Sequence, residues 1–208
     1  MTRLILVRHG ETEWNVAGRY QGQLDSPLTG TGLAQAGALA ERLAAHPVSA
    51  LYTSDLGRAR QTAEIISLRI GCEVMSHVGL RERHLGFFQG TTGQEARTRW
   101  PEDYRQLKSS NPDYAPAGGE SHRTLTTRAM AALKAIAARH ADKTIVVVTH
   151  GGPLSALLRH VLGIPLEAPR RFARANATWN VFTERDGKWL LATWGDTSHL
   201  PPGSDRDT

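Results

Sequence analysis

The sequence is poor in cysteine and has no long apolar run. Cys72 is the single cysteine among 208 residues, so the chain can form no internal disulfide and offers no thiolate cluster to a metal ion. No apolar run approaches the roughly 20 residues that a membrane-spanning helix needs. The apolar run near Met1 is too short for a signal peptide and lacks a small-residue cleavage site. We therefore expect a cytoplasmic protein that has no membrane partner.

The distribution of charge excludes further classes of protein. The formal net charge is +5, but Lys and Arg form no block. The sequence has neither zinc-finger spacing nor a basic stretch with interleaved aromatic residues, which argues against a nucleic-acid partner. The nine histidines include no His-x-x-x-His pair, so we predict no metal site. Scattered arginines are usually solvated, but a minority can line a pocket for an anionic substrate because the guanidinium matches phosphate oxygens.

The length and the order of the strand and helix patterns predict one α/β domain. We assign residues 1–208 to a single domain in which residues 197–208 form a loosely ordered tail. Alternating strands and helices favour three α/β/α layers around a mostly parallel central sheet with an antiparallel edge. Strands are predicted at residues 3–8, 50–54, 73–76, 144–149, 176–183 and 188–194. Helices are predicted to begin near residues 29, 56, 94, 120 and 153, with Ser54 or Asp55 as the cap of the second one.

Two of the predicted strands end in the same dipeptide. The apolar run 3–8 leads into His9-Gly10, and the β-branched run 144–149, which we expect to be central, leads into His150-Gly151. Ligands of parallel sheets bind at the carboxyl ends of the strands. His9 and His150 are therefore candidates for one site, although they are far apart in the sequence.

Six segments in a fixed order carry a more specific pattern. They are LVRHGETEWN at residues 6–15, GRYQG at 18–22, DSPLT at 25–29, TSDLGRARQTA at 53–63, LRE at 80–82 and VTHGG at 148–152. Together they resemble the histidine phosphatase superfamily, also called the phosphoglycerate mutase-like family. The resemblance covers most of residues 3–196 and implies the phosphoglycerate mutase-like α/β fold. It also implies a metal-independent phosphatase without a cofactor, which acts on a small phosphorylated substrate.

The chemistry of phosphate esters explains what such a site needs. Phosphate monoesters hydrolyse extremely slowly unaided, so a catalyst must supply positioning and charge stabilisation. A neutral imidazole can split the reaction into two steps through a phosphohistidine, if an acceptor such as a backbone carbonyl near Gly10 or Gly151 fixes its tautomer. The resemblance implies that His9 is the nucleophile and Glu82 the proton donor. It assigns catalytic roles to His9, Glu82, His150, Arg8 and Arg58, and phosphate contacts to Arg8, Asn15, Gln21, Gly22, Arg58, His150 and Gly151.

The sequence departs from the family pattern shortly after Glu82. Many members have Gly-x-Trp-Glu-Gly where this chain has GFFQG at residues 86–90, and we interpret Phe88 and Gln89 as a change in pocket lining or packing. The cofactor-dependent mutases of the family are longer and carry a segment that covers the site. Residues 83–118 leave little room for such a segment, and a site open to water favours hydrolysis of the phosphoenzyme. We therefore favour a phosphatase.

Three alternatives stay open. A cofactor-dependent phosphoglycerate mutase, an isomerase, would require 2,3-bisphosphoglycerate and would interconvert 2- and 3-phosphoglycerate faster than it releases phosphate. A non-catalytic relative would bind phosphorylated ligands and release no phosphate, although the joint presence of the five catalytic residues argues against it. A nucleic-acid binder, the most remote of the three, would bind in a strongly salt-dependent way. The sequence is also compatible with a homodimer.

Overall fold

The chain forms a six-stranded sheet with helices on both faces. The computed structural model describes residues 1–201 and 203. The strands are β1 (Thr2–Arg8), β2 (Ala50–Thr53), β3 (Val74–Ser76), β4 (Thr144–Thr149), β5 (Trp179–Arg185) and β6 (Lys188–Asp196). The α-helices are α1 (Glu13–Val16), α2 (Gly30–Ala44), α3 (Gly57–Ile70), α4 (Gly93–Arg99), α5 (Pro101–Lys108), α6 (His122–Arg139) and α7 (Gly151–Leu162).

The strand order is β3-β2-β4-β1-β5-β6, which places β4 and β1 at the centre. β1 and β2 both pair in parallel with β4, and β3 pairs in parallel with β2. β5 runs antiparallel to β1, and β6 runs antiparallel to β5. The predicted mostly parallel sheet with an antiparallel edge is therefore confirmed, as is the central position of the β-branched run.

Successive side chains of β1 enter two separate cores. Leu4 and Leu6 pack with buried residues of α6 and α7, whereas Ile5 and Val7 pack with buried residues of α2 and α3. Both faces of the strand are covered by helices, which is why the sequence of β1 is apolar throughout instead of alternating. The predicted three layers are confirmed by this arrangement.

One predicted helix cap is wrong. Helix α3 begins after Leu56, and neither Ser54 nor Asp55 caps it. The cap comes from a distant loop instead, because the Asp25 carboxylate accepts hydrogen bonds from the N–H groups of Gly57 at 2.5 Å and Arg58 at 3.2 Å. Sequence patterns detect caps that lie next to the helix, and this one lies about thirty residues away in the chain.

The predicted strand 176–183 begins later, at Trp179. Ala177 has φ +52° and its N–H donates to the Arg8 carbonyl at 3.0 Å, so this segment crosses the end of β1 before the pairing of β5 starts. The predicted turn at residues 186–187 is present, with positive φ at both residues, as an Asp-Gly hairpin requires.

The predicted tail, 197–208, falls partly outside the described residues. Within its described part, the His199 ring donates to the Ala177 carbonyl at 3.0 Å. Both the loosely ordered tail and the single domain over residues 1–208 stay predictions. None of the described helices has the length and apolar character needed to cross a membrane.

Candidate active site

The register of β1 and β4 brings the two His-Gly turns together. Arg8 pairs with Thr149, and the N–H of His9 donates to the Thr149 carbonyl at 3.0 Å. His9 and His150 therefore follow adjacent parallel strands at the same edge of the sheet. Their ring centroids lie 5.2 Å apart.

His9 is held in one tautomer. Its Nδ1 lies 2.8 Å from the Gly10 carbonyl, which can only accept, so we assign the proton to Nδ1 and the lone pair to Nε2. The Arg58 Nε donates to that Nε2 at 3.2 Å. Burial lowers the pKa of His9 well below its usual range, and the neighbouring Arg58 and Arg8 lower it further. The ring is thus neutral at neutral pH, with its lone pair on Nε2.

Arg58 is fixed in the first turn of α3 and is 2% exposed. Its Nη1 donates to the Leu24 carbonyl at 2.8 Å and to the Asp25 carboxylate at 3.0 Å. Its Nη2 donates to the Gly22 carbonyl at 2.7 Å. Because the same Asp25 caps α3, one carboxylate positions both the helix and the guanidinium. Asp25 lies within one of the six segments, yet sequence reasoning did not assign it a role.

Arg8 and His150 flank His9. Arg8 is buried, and its Nη1 donates to the Arg174 carbonyl. His150 has no exposed surface, and neither of its ring nitrogens has a hydrogen-bond partner among the described residues. Burial lowers the pKa of His150 well below its usual range, with a further contribution from Arg58. A buried imidazole without a partner is costly, and an oxyanion beside His9 would supply the acceptor that it lacks.

The Glu82 carboxylate is anchored at the N-terminus of α7. It accepts hydrogen bonds from the N–H of Gly152 at 3.0 Å and from that of Arg83 at 2.7 Å. The arginines on either side bind elsewhere: Arg81 pairs with Asp55 at 2.5 Å, and the Arg83 side chain donates to the Tyr114 carbonyl at 2.8 Å. The flanking side chains therefore bind other groups, and the hydrogen bonds to the Glu82 carboxylate come from the backbone N–H groups of Gly152 and Arg83.

Asn15, Gln21 and Gly22 each contribute a different group to the site. The Asn15 Oδ1 accepts from the Thr12 N–H at 3.1 Å within a capping box of α1, so its NH₂ is the half of the amide left to donate. Gln21 is buried, and its Oε1 has no partner among the described residues. Gly22 has φ +55° and contributes its carbonyl, the one that Arg58 binds.

A cavity of about 440 Å³ unites most of the predicted site residues. Those that line it are Arg8, His9, Asn15, Gln21, Gly22, Arg58, Glu82 and Gly151. His150 is the exception, because it lies fully buried beside His9 and contributes no surface to the cavity. We call this space the catalytic cavity.

Sequence reasoning missed several cations that line the same cavity, among them Lys108, Arg170 and Arg174. Lys108 ends α5, and the two arginines belong to the loop that follows α7. None lies within the six segments. The only signal was the local density of arginine at residues 170–174, which also describes an ordinary solvated surface.

The departure at Phe88 and Gln89 affects packing. Phe88 is fully buried and packs against the rings of Phe87 and Trp100, whose centroids lie 4.5 Å and 5.7 Å from its own. The Gln89 Oε1 accepts from the Gln23 N–H at 2.7 Å, which ties the loop carrying Gly22 to the segment after Glu82. Neither residue lines the catalytic cavity. Of the two interpretations, a change of packing fits the structure and a change of pocket lining does not.

Across the part of the chain that the structure describes, no group of three or more His, Cys, Asp or Glu side chains is placed to hold a metal ion. The donor set around His9 consists of arginine, histidine and amide groups, which suit an anion better than a cation.

Comparisons with known proteins place the chain among relatives of one family. It is 45% identical over 204 residues to the metal-independent phosphoserine phosphatase of Arabidopsis thaliana, covering 96% of this chain and 84% of that protein. It is 38% identical over 210 residues to the probable phosphoglycerate mutase GpmB of Serratia proteamaculans (strain 568), covering 96% of this chain and 95% of that protein. The solved structure of Bacillus stearothermophilus YhfR is similar with a TM-score of 0.90 and 36% identity, covering 97% of this chain and 100% of that one.

The match to the family extends over nearly the whole chain. The family model of the histidine phosphatase superfamily (branch 1) matches residues 4–197. That range includes every strand from β2 to β6 and most of β1. The chain therefore belongs to the histidine phosphatase superfamily (branch 1).

Proposed function

We propose that this chain hydrolyses phosphomonoesters of small metabolites through a phosphohistidine formed on His9. The observation that carries the proposal is the state of the His9 ring. Its Nδ1 proton is bound by the Gly10 carbonyl, and its Nε2 lone pair lies at the base of a cationic cavity beside Arg58. The 45% identical phosphoserine phosphatase supports the same reaction class.

In the first step the Nε2 lone pair of His9 attacks phosphorus. An N–P bond forms while the P–O bond to the leaving alcohol breaks, and Glu82 gives its proton to the leaving oxygen. The charge on the equatorial oxygens is stabilised by donors fixed before the substrate arrives. Those donors are Arg8, Asn15, Gln21, Arg58, His150 and the N–H of Gly151.

In the second step the Glu82 carboxylate takes a proton from water. The water oxygen bonds to phosphorus as the N–P bond breaks, which releases inorganic phosphate and returns His9 to its neutral form. Glu82 recovers the proton that it donated in the first step. Neither step uses a cofactor, and neither requires a metal.

The test is phosphate release from a panel of phosphomonoesters, with and without a chelator. We expect turnover that survives chelation, is lost in His9→Ala, and is retained in His160→Ala, whose exposed ring lies on α7 away from the cavity. A quench in base followed by mass spectrometry should find a phosphorylated peptide that contains residue 9. Full activity in His9→Ala would overturn the mechanism.

A phosphoglycerate mutase is the second candidate. Two observations favour it. The chain is 38% identical to the probable mutase of Serratia. Leu107 and Lys108, which belong to the segment after Glu82, line the cavity wall. Interconversion of 2- and 3-phosphoglycerate that depends on 2,3-bisphosphoglycerate and outruns phosphate release would establish it. The non-catalytic alternative requires that no ester in the panel be hydrolysed.

We further propose a single cytoplasmic domain over residues 1–208. One sheet containing strands from Thr2 to Asp196 supports the single domain, and the scarcity of cysteine is consistent with a reducing compartment. A homodimer stays a prediction, which light scattering of the purified protein would test.

A further inference from the structure

One buried side chain outside the six segments contacts both the backbone of His9 and the side chain of a phosphate donor. Asn176 is 1% exposed and lies in the segment between α7 and β5 that crosses the end of β1. Its side-chain NH₂ donates to the His9 carbonyl at 2.9 Å and to the Asn15 Oδ1 at 3.3 Å. A single amide therefore connects two residues of the candidate active site that belong to different elements.

The oxygen of the Asn15 amide is surrounded by donors. Besides the Asn176 NH₂, the Thr12 N–H lies 3.1 Å and the Thr12 hydroxyl 3.0 Å from it. Backbone and amide N–H groups can only donate, so the Asn15 atom that faces them is the oxygen. The NH₂ of Asn15 is then the end of the amide that is left for a ligand in the catalytic cavity, which Asn15 lines.

The His9 carbonyl belongs to a peptide group that is bound at both ends. The carbonyl accepts from the Asn176 NH₂, and the N–H of Gly10 in the same peptide donates to the Thr62 hydroxyl at 3.1 Å. The next carbonyl, that of Gly10, is the one that accepts from the His9 Nδ1. Asn176 therefore fixes the backbone from which the His9 ring extends, and the same NH₂ group fixes Asn15 relative to it.

The backbone next to Asn176 adopts a conformation that few residues tolerate. Ala177 has φ +52° and is fully buried, and its N–H donates to the carbonyls of Arg8 at 3.0 Å and of His9 at 3.3 Å. Non-glycine residues at positive φ are uncommon, and such conformations concentrate at functional sites. The turn places the Asn176 side chain over the end of β1, within hydrogen-bond distance of the His9 carbonyl.

We propose that Asn176 is a positioning residue for phosphoryl transfer, whose NH₂ group holds the Asn15 amide so that the Asn15 NH₂ faces a phosphoryl group beside the His9 ring. This inference rests on the proposed phosphatase function and adds a residue to its machinery. Asn176 does not line the catalytic cavity, so it acts through Asn15 and not on the substrate. Donors aligned before the substrate arrives stabilise the transition state, and small errors in their alignment reduce the rate strongly.

Asn176→Asp tests the proposal with almost no change in side-chain shape. The substitution replaces the NH₂ group by a carboxylate oxygen, which cannot donate to the His9 carbonyl and attracts the Asn15 NH₂ away from the cavity. We expect kcat for p-nitrophenyl phosphate to fall about tenfold or more, with a smaller change in KM, because alignment of the donor matters most in the transition state.

Asn180→Asp is the matched control. Asn180 is also 1% exposed, and its NH₂ donates to the Leu6 carbonyl of the same strand at 3.1 Å, away from the cavity. Both substitutions bury a carboxylate and should reduce the stability of the protein. The folded Asn180→Asp protein should nevertheless keep the parental kcat, whereas folded Asn176→Asp should not.

A double-mutant cycle shows whether Asn176 acts through Asn15. The cycle uses Asn176→Ala, which introduces no buried charge and keeps the test available if Asn176→Asp does not fold. In the Asn15→Ala background the donor is already absent, so the further loss of kcat/KM from Asn176→Ala should be at least about threefold smaller than in the parent protein.

The inference fails if Asn176→Asp and Asn180→Asp lose the same activity, or if folded Asn176→Ala keeps the parental kcat. Additive losses in the cycle would also overturn it, as would an Asn176→Ala protein that does not fold, since the residue would then serve the fold. These outcomes leave the proposed function intact if the parent protein hydrolyses p-nitrophenyl phosphate and His9→Ala does not. A parent protein without that activity would overturn the proposed function and this inference together.

Discussion

The catalytic cavity has a buried floor and an outer wall, which differ in burial and in the elements that supply their residues. The buried floor, consisting of Arg8, His9 and Arg58 with His150 directly behind His9, is 7% exposed or less at every residue. The outer wall, consisting of Lys108, Arg170 and Arg174, is exposed or half-buried. The floor comes from two strand ends and a helix start, whereas the outer wall comes from a helix end and a loop.

The difference lies in how deeply each side chain is buried. Arg58 makes four hydrogen bonds to protein groups through its guanidinium, so its geometry is set before any substrate binds. Arg170 is exposed, and its Nη1 donates to the Phe172 carbonyl in the same loop. Preorganised donors stabilise a transition state, while loop residues on a rigid scaffold can change the substrate. We infer that the floor fixes the reaction and the outer wall selects the molecule that undergoes it.

The largest expected effect on activity comes from replacing Arg58, one of the floor residues. Replacing Arg58 with Ala removes the donor beside the His9 Nε2, and we expect kcat/KM to fall on the order of 10³-fold. Arg60→Ala is the control, since Arg60 is exposed on the same helix and pairs with the exposed Glu64. Phosphate release by both variants measures the contrast. Equal rates would mean that the floor does not stabilise the transferring group.

A smaller loss should follow from displacing Glu82. A Cβ added at Gly152 would stand 2.1 Å from the Glu82 Oε1, so Gly152→Ala must push the carboxylate out of place. We expect kcat to fall about 10²-fold, the lower range for a lost acid–base catalyst. The effect should be weaker for p-nitrophenyl phosphate, whose leaving group needs little protonation.

Gly37→Ala supplies the control, because a Cβ at Gly37 in α2 meets no atom within 4 Å. This variant should keep full activity and gain slightly in helix stability. If Gly152→Ala were as active as Gly37→Ala, Glu82 would not be the proton donor.

The same contrast explains what the sequence could predict. His9, His150 and Arg58 lie directly after strands or at the start of a helix, where periodicity locates them and the six segments identify them. Asp25 and the cationic outer wall depend on contacts between residues distant in the chain, which no local pattern encodes. Arg128 is a further example: from α6 it donates to the carbonyl of Arg81 at 3.0 Å and to that of Glu82 at 3.3 Å. Sequence alone presents it as an ordinary helical arginine.

The buried histidines should also make stability depend on pH. The pKa values of His9 and His150 are lowered in the folded state, whereas the unfolded chain titrates near 6.5. Below that pH the two histidines bind protons in the unfolded state but stay neutral in the folded state, so the free energy of unfolding falls as pH decreases. The limiting slope is about 1.4 kcal/mol per pH unit for each histidine.

Chemical denaturation between pH 7.5 and pH 5 measures this slope. His150→Gln should reduce it, while His160→Gln, which alters an exposed ring, should change it less. An unchanged slope in His150→Gln would show that His150 does not stay neutral in the folded protein.

The smallest effect is expected from a change in the outer wall. Asp25 and Arg170 can be compared by how much each contributes to the free energy of unfolding. Asp25→Ala removes the cap of α3 and the carboxylate partner of the buried Arg58, so we expect a loss of about 1–2 kcal/mol in the free energy of unfolding. Arg170→Ala removes an exposed side chain and should change that free energy by less than about 0.5 kcal/mol. Urea unfolding of both variants provides the measurement. A loss in Arg170→Ala as large as that in Asp25→Ala would mean that the outer wall supports the fold and is not free to vary with the substrate.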